Sequence, residues 1–183
     1  MYEGKNPTAL TSRGWLVDAL LTLMKTRPYS KISVKDICEQ ADLSRQTFYN
    51  FFDAKEDIIR FRIDQCYVEM MGRLRNTAPL HLTDITEQLM LTFQNNREFM
   101  SLIVAQQLDH MLEFALACNI RRFAEEINPN VDRHICEYGN AFLAGAIAHT
   151  ILYWFKDDSP LAANQVSDLL SSILAGNYYQ IEI

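Results

Sequence analysis

The sequence predicts an all-α protein, with a small N-terminal domain of three helices joined by a long helix to a C-terminal helical bundle that dimerises. Gly and Pro are scarce, at six and five of 183 residues, so most of the turns that a many-stranded β protein needs are missing. Apolar residues recur at three- and four-residue spacing along most of the chain, which is the period of an amphipathic helix.

The first helix is predicted over residues 8–26. Leu16, Leu20 and Leu23 fall on one stripe of it, which indicates a face that packs on a core. Pro28 follows closely and cannot continue a regular helix. The chain must therefore turn here.

Two short helices come next, each preceded by a residue that favours an N-cap. Ser33 has Asp36 three residues later, a short-armed form of the capping box, and predicts a helix over residues 34–40. Ser44 predicts the start of a third helix over residues 45–52.

A long fourth helix is predicted over residues 55–75, and the Asn76-Thr77-Ala78-Pro79 stretch then breaks the pattern. This division gives three segments: residues 8–54, residues 55–76 and residues 77–183. We interpret them as an N-terminal head, a connecting helix and a regulatory and dimerisation domain.

The last segment predicts further helices, with Pro129 and Pro160 near the first turns of two of them, where Pro is tolerated. Their approximate ranges are 82–95, 97–117, 119–127, 131–156 and 160–178.

Two short helices joined by a tight turn describe a helix-turn-helix. Cys38 is small enough to let the two helices approach, and Leu43 fills the turn between them. Phe48 and Phe52 are expected to face the core. The opposite face of the third helix then presents groups suited to base edges and phosphates: Arg45, Gln46, Thr47, Tyr49 and Asn50.

The run from Ser44 to Glu56 reads S-x-x-T-F-Y-x-x-F-x-x-K-E. With this signature, residues 11–60 resemble the DNA-binding head of the TetR family of bacterial regulators. Two departures stand out: Asp42 replaces the usual Gly of the turn, and Cys38 replaces the usual Ala. Asp tolerates a positive φ better than most residues, so the turn can survive.

The resemblance implies a set of DNA-contacting residues. Gln46 and Asn50 would read bases. Thr47 and Tyr49 would bind phosphates through their hydroxyls and Lys55 through its ammonium group, whereas Ser33 and Lys35 would clamp a neighbouring phosphate. The full set is Ser33, Lys35, Ser44, Arg45, Gln46, Thr47, Tyr49, Asn50 and Lys55.

Bulky flexible side chains in the C-terminal segment are compatible with a filled core, or with a cavity for a small-molecule effector, as in the family. The expected lining residues are Met90, Phe93, His110, Met111, Phe114, His149 and Tyr153.

The two C-terminal helices are apolar around most of their circumference, which predicts a second buried face against another copy of the chain. The expected dimer interface comprises Gly145, Ala148, Ile151, Leu152, Leu169, Leu170 and Ile173.

Charge is divided unevenly. Residues 1–75 carry 12 Lys and Arg against 10 Asp and Glu, whereas residues 76–183 carry 5 against 13. Double-stranded DNA is therefore expected to meet only the head.

Other functions lack a motif. The four cysteines are widely separated without a CxxC pair, which favours reduced core thiols over a disulfide or metal site. No P-loop, GxGxxG or catalytic triad order occurs, so we expect neither an enzyme nor a cofactor. No signal peptide or membrane span is expected, which favours a cytoplasmic protein.

These features predict a homodimeric DNA-binding transcriptional regulator whose operator affinity responds to an effector. Repression is the expected outcome, with activation left open. The alternative is a regulator or coactivator of the same fold that acts through a protein partner. The C-terminal segment also resembles a subgroup linked to dihydroxyacetone kinase operons, some of whose members use such a partner. The resemblance rests on five residues: Tyr138, Phe142, Gly145, Trp154 and Pro160.

Overall fold

The computed structural model describes residues 7–75, 77, 79–127, 130, 132–158 and 160–178. Within these ranges the chain forms nine α-helices, a 3₁₀ turn at Tyr29–Lys31 and no strand. The helices are α1 Pro7–Met24, α2 Val34–Gln40, α3 Arg45–Phe51, α4 Lys55–Leu74, α5 Leu82–Asn95, α6 Arg97–Ala105, α7 Asp109–Ile127, α8 Arg133–Lys156 and α9 Ala163–Leu174.

The predicted all-α fold is confirmed. None of the described helices combines the length and the apolar character that crossing a membrane requires. Pro129, expected near the first turn of a helix, lies outside the described residues.

Both predicted N-caps of the head are present. The N–H of Asp36 donates to Ser33 Oγ at 3.2 Å, and the N–H of Ser33 donates to Asp36 Oδ2 at 2.7 Å, so α2 begins with a complete capping box. Ser44 Oγ accepts the N–H of Thr47 at 3.0 Å and caps α3. Both helix starts are local features, which is why the sequence predicts them.

The turn between α2 and α3 has the geometry of a Schellman motif. Asp42 has φ of 52°, as its position in place of Gly predicts. The N–H of Leu43 donates to the carbonyl of Cys38 at 2.9 Å, and that of Asp42 to Glu39 at 3.3 Å. These bonds satisfy the last carbonyls of α2, and the left-handed residue redirects the chain into α3.

Phe48 and Phe52 pack inside the head with their ring centroids 5.9 Å apart. Both are almost completely buried, as are Leu20 of α1 and Ile37 of α2. Burial of these rings fixes the rotation of α3 about its own axis, since the aromatic face has no other place to pack.

The C-terminal segment breaks in a different place from the one predicted. A break near residue 118 is wrong, because α7 runs without interruption from Asp109 to Ile127. The break lies after α6, where Gln107 has φ of 56° and the N–H of Leu108 donates to the carbonyl of Ile103. This is a second Schellman turn with a residue other than Gly in the left-handed position, so the usual sequence signal is missing.

Head and tail share one hydrophobic core. Leu16 and Phe48 of the head belong to the same buried cluster as Met100, Ile103 and Ile151 of the tail. Within the tail, α8 packs on α7 and α9 packs on α5. The connecting helix α4 contacts both α1 and the tail helices α5 and α7.

The expectation of four core thiols holds only in part. Cys38 and Cys66 are buried, but Cys136 is partly buried and Cys118 is exposed. Burial raises the pKa of the Cys66 thiol to about 11, which keeps it protonated and unreactive near neutral pH.

Candidate nucleic-acid interface and regulatory cavity

The outer face of α3 carries the predicted polar residues. Arg45, Gln46, Tyr49 and Asn50 are exposed, and Thr47 is partly buried. Because the aromatic side of α3 is locked into the core, these side chains project from the head as one continuous surface. A surface of guanidinium, amide and hydroxyl groups on a short helix suits the major groove.

The two predicted base-reading amides touch each other. Gln46 Nε2 donates to Asn50 Oδ1 at 3.3 Å, one helical turn apart. An amide carries two N–H donors and one carbonyl acceptor, so this single bond leaves each side chain able to pair with a base edge. The contact orders two side chains that would otherwise sample many rotamers.

The hydroxyls at the start of α3 also interact. Ser44 Oγ lies 2.9 Å from Thr47 Oγ1 in addition to capping the helix. A hydroxyl can both donate and accept. Ser44 and Thr47 can therefore keep these bonds while one of them donates to a phosphate.

The start of α2 is less open to phosphate than the sequence suggests. The Ser33 hydroxyl and N–H and the Arg27 guanidinium hold the pKa of Asp36 well below its usual range, and Arg27 Nη1 lies 3.1 Å from Asp36 Oδ1. A carboxylate thus occupies the position where Ser33 was expected to clamp an anion. Lys35 remains exposed, with its ammonium 3.6 Å from Glu39 Oε1.

Lys55 is tied into the head. Its ammonium donates to the carbonyls of Tyr29 and Ile32, both at 2.8 Å, and lies 4.2 Å from the centre of the Tyr29 ring. Two of its three N–H donors are therefore in use. The phosphate contact implied by the resemblance would have to use the third.

Tyr29 connects the same region to the next residue of α4. Its hydroxyl donates to Glu56 Oε1 at 3.1 Å. Burial, and then the Glu56 carboxylate, raise the pKa of Tyr29 above its ordinary value, so the ring stays neutral.

The tail contains a cavity of about 490 Å³ between α4, α5, α7 and α8. Its lining is almost entirely apolar, and among the described residues no Lys, Arg, His, Asp or Glu takes part. The polar or weakly polar members of the lining are Cys66, Tyr67, Thr92, Asn119, Cys136 and Asn140.

This cavity is displaced from the predicted lining. Of the predicted residues, only Phe93 belongs to it. Met90 and Met111 are buried in the core beside α6, whereas four others point to solvent: His110, Phe114, His149 and Tyr153.

Tyr67 and Asn119 line the cavity but are not among the predicted lining residues. Asn119 continues the apolar stripe of α7 and is only 4% exposed. An amide within an apolar stripe is therefore the feature of the sequence that could have predicted a polar group in the cavity wall. Tyr67 had no such feature in the sequence, because its place opposite α7 depends on how α4 packs on a helix that is distant in the chain.

Most residues of the predicted dimer interface are not accessible in the folded chain. Ala148, Ile151, Leu152 and Leu170 are buried within the chain's own core, so a second copy cannot contact them in this arrangement. Gly145 and Leu169 are partly buried, and Ile173 is exposed. The buried residues lie on the sides of α8 and α9 that face the chain's own helices, since α8 packs on α7 and α9 packs on α5.

Another stripe of α8 is left without a partner among the described residues. Its large apolar side chains are 66–72% exposed and follow one another at helical spacing: Ile135, Tyr138, Phe142 and Tyr153. So much exposed aromatic surface on one helix is typical of an interface.

Two family models match the chain. One described as "Bacterial regulatory proteins, tetR family" matches residues 16–60. One described as "Transcriptional regulator C-terminal region" matches residues 81–176, which is more than half of the chain.

A curated relative, the HTH-type dhaKLM operon transcriptional activator DhaS of Lactococcus lactis, is 34% identical over 57 residues. This match covers 31% of the chain and 30% of the relative, so it spans under a third of either protein.

Solved structures extend the likeness to the whole fold. Lin0861 from Listeria innocua has a TM-score of 0.79 at 17% identity and covers 96% of both chains. A TetR transcriptional regulator from Streptococcus agalactiae has a TM-score of 0.58 at 14% identity, covering 91% of this chain and 95% of that one. With both parts of the chain matched by family models and the helix-turn-helix geometry in place, the protein belongs to the TetR family of bacterial regulatory proteins.

Proposed function

We propose that the protein is a cytoplasmic, homodimeric transcriptional regulator that binds a near-palindromic DNA site through α3. The observation that carries this proposal is the exposed face of Arg45, Gln46, Tyr49 and Asn50, held outward by the burial of Phe48. Gln46 and Asn50 would read base edges, and the remaining groups would bind phosphates.

The second copy would dock on the exposed stripe of α8. Tyr138 and Phe142 are 72% and 69% exposed, and Ile173 at the end of α9 adds a further exposed apolar side chain. Pairing α8 with its counterpart about a two-fold axis would bury these side chains. Obligate dimers commonly bury about 2,000 Å² or more in total, and a two-fold axis matches a palindromic site.

A ligand in the tail cavity would change the spacing of the two heads through α4. Ile63, Cys66 and Tyr67 of α4 line the cavity, and Lys55 at the start of the same helix holds the carbonyls of Tyr29 and Ile32. One rigid helix thus joins the cavity to the head. Preference of the ligand for one position of α4 would shift the affinity for DNA.

We propose repression by occupation of the operator. The Lactococcus relative is called an activator, so activation is the alternative sign. A regulator that acts only through a protein partner is the alternative class, and the exposed stripe of α8 would serve such a partner as well as a second copy.

Selection of bound sequences from random duplex DNA tests the proposal. An inverted repeat should be enriched, with half-site centres about 34–36 Å apart, or more on bent DNA. Affinity should fall steeply with salt, as expected when a dimer neutralises about 6–10 phosphates. Recovery of no enriched repeat would favour the regulator that acts through a protein partner.

A further inference from the structure

The tail cavity has the chemistry of a site for an uncharged molecule. Its volume of about 490 Å³ lies within the range of about 300–1,000 Å³ that is usual for small-molecule pockets. Leu89, Phe93, Leu116 and Phe123 supply apolar walls from α5 and α7. A charged ligand would lose its hydration here without meeting an opposite charge from the described lining.

One polar atom in this lining has no partner. Asn119 is 4% exposed, and its Oδ1 is buried and accepts no hydrogen bond from any described residue. A buried acceptor without a donor destabilises a fold by about 1–3 kcal/mol. Such groups are rare in folded proteins and are often completed by a ligand or a water.

A second polar group lies in the same region. Tyr67 is 8% exposed, and its buried hydroxyl interacts with Arg122 but has no acceptor for its own proton among the described residues. Burial raises the pKa of Tyr67, so the hydroxyl stays protonated. The guanidinium of Arg122, one turn after Asn119 on α7, lies 4.4 Å from the centre of the Tyr67 ring, which brings Tyr67 next to this part of α7.

We infer that the cavity binds an uncharged, mainly apolar molecule that ends in a hydroxyl group. The ligand's O–H donates to Asn119 Oδ1, its oxygen accepts from Tyr67, and its hydrocarbon part fills the space between α5, α7 and α8. A carboxylate would bring a negative charge against the Asn119 carbonyl. No described lining residue is a cation, and the neighbouring Arg122 is outside the lining and already lies 3.6 Å from Asp64. A plain hydrocarbon would leave both polar groups unpaired. This ligand would be the effector of the proposed regulation. Only its effect on operator binding rests on the proposed function; its binding to the cavity does not.

Binding to the purified full chain tests this inference without DNA. Octanol, octane and octanoate share a chain length and differ at one end, so thermal shift at matched concentrations compares the three classes. Octanol should bind at least about tenfold more tightly than octane, the equivalent of one buried hydrogen bond. Octanoate should bind more weakly than octanol by a larger factor. Equal binding of octanol and octane, or tightest binding of octanoate, would overturn the inference.

Substitutions at the polar groups sharpen the test. Asn119→Leu should abolish the preference for octanol over octane and also raise the thermal stability of the ligand-free protein, because it removes an unpaired buried acceptor. Tyr67→Phe, which removes only a hydroxyl, should reduce the preference by several-fold. Asn164→Leu is the matched control, since Asn164 is exposed on α9 and does not line the cavity, and it should keep the preference. A preference for octanol that survives Asn119→Leu and Tyr67→Phe would refute the assignment. Because no measurement uses DNA, a failure of operator binding would leave this result unchanged.

Discussion

Gln106 Oε1 accepts a hydrogen bond from the backbone N–H of Tyr29 at 2.7 Å, which joins the end of α6 in the tail to the 3₁₀ turn of the head. The same amide donates through Nε2 to the carbonyl of Met24 at 2.7 Å and to that of Arg27 at 3.2 Å. One side chain of the tail therefore satisfies the backbone groups at which α1 ends. The position of α6 is thereby tied to that of the head.

Replacing Gln106 by Leu should lower the free energy of unfolding by about 2–3 kcal/mol, because the N–H of Tyr29 and the carbonyl of Met24 lose their partner. Urea denaturation measures the change. Gln107→Gly is the matched control: Gln107 is exposed with a positive φ, so Gly there should stabilise slightly. Ordinary surface substitutions change the free energy of unfolding by about 0.5 kcal/mol or less. A change of that size for Gln106→Leu would contradict a structural role for this contact.

Asp42→Gly should raise the free energy of unfolding by about 0.5–1 kcal/mol. Asp42 holds φ of 52°, a region that penalises a side chain but not Gly. Gly176→Ala gives the opposite test, since Gly176 has φ of 76° in the turn after α9 and should lose stability by a similar amount. Thermal or urea denaturation measures both. A destabilised Asp42→Gly variant would indicate that the Asp42 side chain contributes more than its backbone strain costs.

Gln46→Ala should weaken binding to the preferred operator by about 1–3 kcal/mol and relax the preference at one base position. Lys35→Ala should weaken all sequences about equally and reduce the salt slope by about one unit per head. Titration of operator and random duplexes at several salt concentrations separates these effects. If both variants lose affinity without any change in base preference, the reading face has been assigned to the wrong side chains.

Lys55→Ala is a less suitable variant than Lys35→Ala for measuring sequence-independent DNA binding. Lys55→Ala should lower thermal stability as well as DNA affinity, because the carbonyls of Tyr29 and Ile32 lose their donor.

Phe142→Arg should leave the chain folded but convert the proposed dimer into monomers, because Phe142 is 69% exposed and lies on the proposed partner-facing stripe. Ala148→Arg should instead prevent folding, since Ala148 is fully buried within the chain. Val68→Arg, on the exposed side of α4, is the matched surface control. Sedimentation and circular dichroism distinguish the three. A Phe142→Arg variant that remains dimeric would move the interface elsewhere.

Stability should fall in acid partly through Asp36. Its folded pKa lies below the unfolded value of about 3.9, because the bonds from Ser33 and the Arg27 guanidinium favour the carboxylate. Its stabilising contribution is therefore complete well above that pH and is lost as the pH falls toward the folded pKa. Asp36→Asn should flatten the decline of the melting temperature below about pH 4, whereas Asp168→Asn, at an exposed position of α9, should leave it unchanged. An identical acid decline in both variants would assign it to other carboxylates.

Features that depend on nearby residues were predictable from the sequence. The caps of α2 and α3 need only Ser33 or Ser44 and a partner three residues later. The outward face of α3 follows from the aromatic residues at its helical spacing. The positive φ of Asp42 follows from the family resemblance, because the family usually has Gly at this position of the turn. In each case local chemistry has one favourable solution, and the tertiary structure does not override it.

The tertiary structure alone decided which apolar residues are internal and which are left exposed. Ala148 and Phe142 lie on one apolar helix, yet the packing of α8 on α7 buries the first and exposes the second. It also placed Lys55 against the carbonyls of the 3₁₀ turn and left Asn119 unpaired beside a cavity. Helical periodicity shows that a face is apolar, but only the positions of neighbouring helices determine what covers that face.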